Sequence, residues 1–104
     1  MNPFGGDPRK MMKQLQQAQE RMQREITELR VEASAGGGMV KVVMTGEKAI
    51  ESVTIDPEVV NPDDVEMLQD LVLAAVNEAA GMVDDAVREK VGGLTGGLNL
   101  PGMG

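Results

Sequence analysis

The fold is decided by residues 30–57, which read RVEASAGGGMVKVVMTGEKAIESVTIDP. Apolar and polar residues alternate along much of this stretch, which is typical of strands with one buried face. The run Gly36–Gly38 predicts a tight turn, because glycine adopts positive φ without steric cost, and Pro57 should end the strand pairing. We predict strands over residues 30–35, 39–44 and 49–55. Since both connections are short, these strands should form an antiparallel three-stranded sheet.

A helix is predicted before the strands, over residues 8–29. After Pro8 this segment contains no glycine or proline and is rich in Met, Gln, Lys, Arg and Glu, which favour helices. Asp7 is the expected N-cap and Pro8 the first helical residue. Apolar residues recur at heptad-like spacing with Gln19 as one polar member, and we expect this stripe to face the protein or a sister helix. The apolar members are Met12, Leu15, Met22, Ile26 and Leu29.

A second helix is predicted after the strands. Asn61 is the expected N-cap and Pro62 the first helical residue, with Asp63-Asp64 in the first turn, where the helix dipole favours acids. Apolar residues continue at helical spacing to about Val91, and Gly92 is expected to stop the helix.

Together these elements predict an α+β protomer of order α-β-β-β-α, with a three-stranded antiparallel sheet, in one domain over residues 8–91. Residues 1–7 lack periodicity and should form a flexible arm, whereas residues 92–104, with six glycines and no charge, should form a disordered tail. Two helices with wide apolar stripes and a single small sheet leave apolar surface uncovered in a monomer. We therefore expect a homodimer.

Composition excludes several classes of enzyme. The 104 residues include no Cys and no His, and Phe4 is the one aromatic residue. Thiolate chemistry, the usual zinc ligands and a Ser-His-Asp triad are therefore absent. The adjacent acids Asp63-Asp64 and Asp84-Asp85 point about 100° apart on a helix, so neither pair converges on one atom. We predict no enzymatic activity, no cofactor, no metal site and no small-molecule substrate.

No membrane segment is expected. The longest apolar run, residues 71–76, is far shorter than the roughly 20 residues that a membrane span needs. The first residues lack the apolar core of a signal peptide. These features predict a soluble intracellular protein.

The net charge of −7 is unevenly distributed. Residues 9–24 carry five basic side chains against Glu20 alone, whereas residues 56–90 carry ten acids against two bases. If the apolar stripe of the first helix faces the protein, four of its cations lie on the opposite side over ~21 Å. They are Lys10, Lys13, Arg21 and Arg24. Such a ridge suits the regularly spaced phosphates of a nucleic-acid duplex, although a charged helix face that is merely solvated is the simpler alternative.

Six short motifs occur in one order along the chain. They are Met12-Lys13-Gln14, Gln16-Gln17-Ala18-Gln19, Gly37-Gly38-Met39-Val40-Lys41-Val42, Val53-Thr54-Ile55-Asp56-Pro57, Met67-Leu68-Gln69-Asp70-Leu71-Val72 and Ala75-Val76-Asn77-Glu78-Ala79. With these motifs, over roughly residues 8–90, the chain resembles the YbaB/EbfC family of bacterial nucleoid-associated proteins.

The resemblance implies an elongated, tweezer-like homodimer that binds DNA in the bacterial cytoplasm with little sequence specificity and has no enzymatic activity. It also implies DNA contacts from the helices, which carry over to the basic positions present here. These positions are Arg9, Lys10, Lys13, Arg21, Arg24, Arg88 and Lys90. The chain departs from the family pattern in its uncharged, Gly-rich tail and in its few basic residues late in the second helix.

Two functional hypotheses follow. In the first, a homodimer binds double-stranded DNA through the cations of the first helix, organises the chromosome in the nucleoid and affects gene expression. In the second, an acidic dimer uses the Met/Gln-rich first helix to dock a partner protein. A docking helix has no need to segregate its outward charges as cations, and this distinction favours the first hypothesis.

Overall fold

The computed structural model describes residues 7–96 and has the order helix, three strands, helix. The predicted flexible arm, apart from Asp7, and the predicted tail beyond Gly96 lie outside the described residues. The main elements are α1 (Pro8–Glu28), β1 (Arg30–Ala35), β2 (Val40–Thr45), β3 (Ile50–Ile55) and α2 (Val65–Gly96), with a 3-10 turn at Pro57–Val59. The predicted α+β protomer of order α-β-β-β-α is confirmed.

The three strands form one antiparallel sheet in the order β1-β2-β3. Ala33 pairs with Val42, which pairs in turn with Val53, so their side chains share one face of the sheet. The turn between β1 and β2 has φ values of +65°, +69° and +94° at Gly36, Gly37 and Gly38. Since residues with a side chain rarely adopt this backbone conformation, the glycine run fixes the position of the turn. A register irregularity between Val43 and Met44 shifts the end of the β2–β3 pairing.

The core lies between the sheet and α2. Val40 and Val42 of β2 are completely buried, as are Ala75 and Ala79 of α2. Because α2 packs mainly on β1 and β2, the third strand is left at the margin, and every residue of β3 is exposed. The protomer therefore covers only part of its apolar sheet face.

The predicted start of α2 was wrong. The Asn61 side chain accepts a hydrogen bond from the Asp63 N–H at 3.0 Å, so Asn61 closes a turn rather than capping the helix. The cap is Asp64, whose Oδ1 accepts from the Met67 N–H at 3.2 Å, and the helix begins at Val65. The end also differs, since α2 continues through Gly92 to Gly96. A glycine costs a helix only about 1 kcal/mol and does not by itself end one.

The first helix has the predicted start. Asp7 Oδ1 accepts from the Arg9 N–H at 3.0 Å, and Pro8 is the first helical residue. Leu29, in an extended conformation, follows the last helical residue, Glu28, and leads directly into β1. No residue of α1 is fully buried. This helix is therefore joined to the sheet and α2, which together we call the body, chiefly at its carboxyl-terminal end.

Candidate nucleic-acid interface

Four cations form a ridge along one side of α1, which we call the cationic ridge: Lys10, Lys13, Arg21 and Arg24. All four are exposed, as is Arg9 beside them. At 100° per residue, the four lie within about 80° of one another around the helix axis, and 1.5 Å per residue gives the ridge a length of ~21 Å. The ridge lies opposite the apolar stripe because the two sets differ by half a turn.

The cationic ridge makes no ion pair with carboxylates of the described residues. Four ion pairs occur within residues 7–96, and none of them involves Arg9 or a member of the ridge. The pairs are Arg30–Glu51, Lys48–Asp84 (2.6 Å), Arg88–Asp85 (3.5 Å) and Lys90–Glu25 (3.9 Å). The ridge is therefore a positive surface on a chain whose net charge is −7.

Arg88 and Lys90, the candidates on α2, are placed differently from the ridge. Arg88 is exposed and pairs with Asp85 one turn earlier in the same helix. Lys90 is half-buried and reaches α1, where its Nζ lies 3.9 Å from Glu25 Oε2. Both cations already have a carboxylate partner, unlike those of the ridge.

Lys90 nevertheless lies next to one member of the ridge. A cleft of about 220 Å³ between α1 and the end of α2 is lined by Lys90, Arg21 and Glu25, with apolar walls from Ala18 and Met22. The structure thus brings two cations from opposite ends of the sequence together around one carboxylate. Charge spacing alone could not predict this arrangement.

The apolar stripe of α1 is covered unevenly. Met22, Ile26 and Leu29, near the body, are half-buried. Met12 and Leu15, in the first turns, are 71% and 64% exposed. Within one chain, the stripe therefore faces the protein only in its carboxyl-terminal half, and packing of the remainder against a sister helix stays a prediction.

A second apolar surface lies beside β3. An open groove of about 500 Å³ runs between this strand and α2, and we call it the β3 groove. It is lined by Ile55, Leu68, Gln69, Val72, Leu73 and Val76. Leu73 of α2 is 60% exposed, and Val53 of β3 is 44% exposed. The β3 groove is therefore an apolar surface that this chain leaves exposed.

Sequence reasoning missed Arg30, which joins α1 to the sheet. Its Nη1 donates hydrogen bonds to the carbonyls of Thr27 (2.8 Å) and Leu29 (2.9 Å) at the end of α1, while its Nε pairs with Glu51 of β3. A basic residue directly after a helix is a recognisable signal, because the last carbonyls of a helix lack partners. Alternation along β1 accounted only for its place in the strand.

The described part of the chain holds neither a membrane-spanning helix nor a metal-binding cluster. Between residues 7 and 96, no helix combines the length and the apolar character needed to cross a membrane. Over that range, no three or more acidic side chains are grouped so that they could hold a metal ion.

Comparison with known proteins identifies the family of this chain. A family model described as the YbaB/EbfC DNA-binding family matches residues 5–98. The chain belongs to the YbaB/EbfC DNA-binding family. A relative from Acetivibrio thermocellus named nucleoid-associated protein is 56% identical, over 96% of this chain and 92% of its own length. A relative of the same name from Desulforamulus reducens is 53% identical, over 96% and 98%.

A solved structure shares the fold of this YbaB/EbfC member. It is that of an uncharacterized protein from Helicobacter pylori, with a TM-score of 0.61 and 19% identity. The likeness covers 76% of this chain and 92% of that one. At this identity the comparison bears on the fold alone.

Proposed function

We propose that the protein binds double-stranded DNA as a homodimer with little sequence specificity, and that the cationic ridge of α1 contacts the phosphates. In this role it organises the chromosome in the nucleoid of the bacterial cytoplasm and affects gene expression. It acts by binding rather than by catalysis. Membership of a DNA-binding family and relatives named nucleoid-associated proteins support this proposal.

The observation that carries the proposal is the unneutralised ridge on an acidic chain. The duplex carries one negative charge per ~1.7 Å of its axis, so a ridge of ~21 Å faces many phosphates. The rest of the chain is strongly acidic and repels the duplex. Attraction is therefore strongest at α1, which orients the protein on DNA as well as binding it.

Modest specificity follows from the residue types. Lys10, Lys13, Arg21 and Arg24 are interspersed with Gln14, Gln16 and Gln17, and this helix face carries no recognisable motif for reading base edges. Contacts to phosphates fix position and orientation but carry no sequence information. Preference among sequences should arise mainly from the shape and flexibility of the DNA.

Homodimer formation is supported by the β3 groove. The free edge of β3 presents unpaired backbone groups, and its apolar face is left uncovered by the chain's own α2. A second copy offers the same apolar surface and the same free edge, so a two-fold contact would cover both at once. Pairing would also bring two cationic ridges into one particle.

The alternative, a module that docks a partner protein through α1, remains a distinct prediction. The exposed Met12 and Leu15 would suit it. The ridge does not, because an apolar docking face has no use for four unpaired cations on the opposite side of the helix. We therefore favour DNA binding.

Duplex binding across a range of salt concentrations tests the proposal, together with the mass of the free protein. If a dimer contacts about six phosphates, the logarithm of affinity should fall with the logarithm of salt at a slope near −5. Changing all four ridge residues to Glu should abolish binding while the protein keeps its mass and its helical content. A slope near zero, affinity retained in this variant, or a monomeric mass would contradict the proposal.

A further inference from the structure

The end of α1 is held by a compact joint. Leu29 leads from α1 into β1, and its carbonyl accepts a hydrogen bond from the Gly46 N–H at 3.1 Å. The Leu29 N–H donates to the Ile26 carbonyl at 3.2 Å. The guanidinium of Arg30 donates to the Thr27 and Leu29 carbonyls. The last turn of α1 is thus bonded to the turn between β2 and β3.

That turn is itself firmly held. The Thr45 hydroxyl accepts from the N–H groups of Glu47 (3.3 Å) and Ala49 (3.1 Å). Lys48 pairs with Asp84 of α2 at 2.6 Å. The joint therefore links α1 to both the sheet and α2.

Gly46 is buried at the centre of the joint. The positive-φ residues of the described chain are Gly36, Gly37, Gly38 and Lys48, so backbone conformation does not require glycine at position 46. Space does require it. A Cβ at this position would overlap the carbonyl oxygen of Ile26 and lie 2.9 Å from its carbonyl carbon and 3.1 Å from the Leu29 Cβ. The obstructing group is helix backbone, which cannot turn aside as a side chain can.

We propose that Gly46 is a positioning residue that sets the direction in which α1 projects from the body, and thereby the place of the cationic ridge on DNA. This inference rests on the proposed function, since the ridge must meet phosphates for its direction to matter. Gly46 itself touches no DNA in this scheme.

The length of α1 amplifies any change at the joint. To accept a Cβ, the Ile26 carbonyl must retreat by about 1 Å, and this carbonyl lies ~4.5 Å along the helix from Leu29. If Leu29 acts as the pivot, the helix turns by roughly 13°. Lys10, ~28 Å from that pivot, then moves by roughly 6 Å. A hydrogen bond to a phosphate, formed within about 3 Å, does not survive such a displacement.

The direction of α1 and the affinity of the protein for a duplex can be measured in separate experiments. The chain contains no Cys, so Gln16→Cys and Ser34→Cys allow specific spin labelling of exposed sites on α1 and β1. Labelled protein is mixed with excess unlabelled protein, so that distances come from one copy, and the distances are recorded by pulsed electron resonance. Binding of a duplex is measured on the unlabelled variants.

Gly46→Ala should shift or broaden the distance distribution by several Å. It should also weaken duplex binding by about eightfold at 0.1 M salt for each phosphate that the ridge no longer reaches. Gly81→Ala is the matched control, because a Cβ at position 81 meets no atom within 4 Å. This variant should leave both measurements unchanged.

Each result is decisive. An unchanged distance distribution in Gly46→Ala overturns the inference, and so does a shifted distribution with unchanged affinity. Wild-type protein without duplex affinity refutes the proposed function instead, and the distances then still show whether Gly46 directs α1.

Leu29→Gly keeps the inference testable if Gly46→Ala does not fold, as judged by circular dichroism. This variant loosens the joint without introducing a clash. It should broaden the distance distribution and weaken binding. A distribution as narrow as that of the wild type would mean that the joint around Gly46 does not set the direction of α1, which would overturn the inference.

Discussion

Replacing a single lysine of the ridge tests the proposed interface against the charge of the whole protein. Lys13→Gln removes one positive charge from the middle of the cationic ridge, and Lys41→Gln removes one from the face of the sheet that points away from α2. Both lysines are exposed, and neither makes an ion pair with a described residue. The two variants therefore change the net charge equally and differ only in position.

The expected change in DNA affinity follows from the counterions that the duplex releases when the protein binds. Each neutralised phosphate contributes about 0.9 to the salt slope, and one substitution removes two phosphate-binding cations from a homodimer. Lys13→Gln should therefore flatten the slope by about 1.8, from a wild-type value near −5. At 0.1 M salt, this change corresponds to a decrease in affinity of about 60-fold. Lys41→Gln should change the slope little and the affinity less than about threefold, through long-range attraction alone.

Fluorescence anisotropy of a labelled duplex gives both the affinity and its salt slope. The titrations are made at several salt concentrations between about 0.05 and 0.3 M, over which the Debye length falls from ~14 to ~6 Å. Circular dichroism confirms that each variant is folded. Equal decreases in affinity for the two variants would refute the reasoning, because binding would then depend on total charge and not on the ridge.

Three further predictions concern other parts of the molecule. Glu25→Gln frees Lys90 and removes a negative charge beside Arg21, so duplex affinity should rise severalfold; a fall in the same anisotropy assay would contradict this. Leu73→Asp places a charge in the β3 groove and should convert the dimer to a folded monomer in sedimentation equilibrium; an unchanged dimer mass would exclude this groove from the interface. Val42→Ala removes a completely buried side chain from the core and should lower the free energy of unfolding by about 2–3 kcal/mol in a denaturant titration, whereas a decrease below about 0.5 kcal/mol would mean that the site collapses around the smaller residue.

The sequence alone determined the elements and the direction of their faces. Alternation around Ala33 and Val42 predicted paired strands, and the glycine run predicted the turn, where all three φ values are positive. The separation of the cationic ridge from the apolar stripe on opposite sides of α1 followed from the 100° rotation per residue of a helix. These properties depend on residues close together in the chain, so local steric rules and periodicity were sufficient.

Tertiary structure decided the remaining features, because they depend on residues far apart in the chain. Lys90 meets Glu25 only once α1 and α2 are placed relative to each other. The requirement for glycine at position 46 likewise arises only where the end of α1 packs against the turn after β2, since no local conformation demands it.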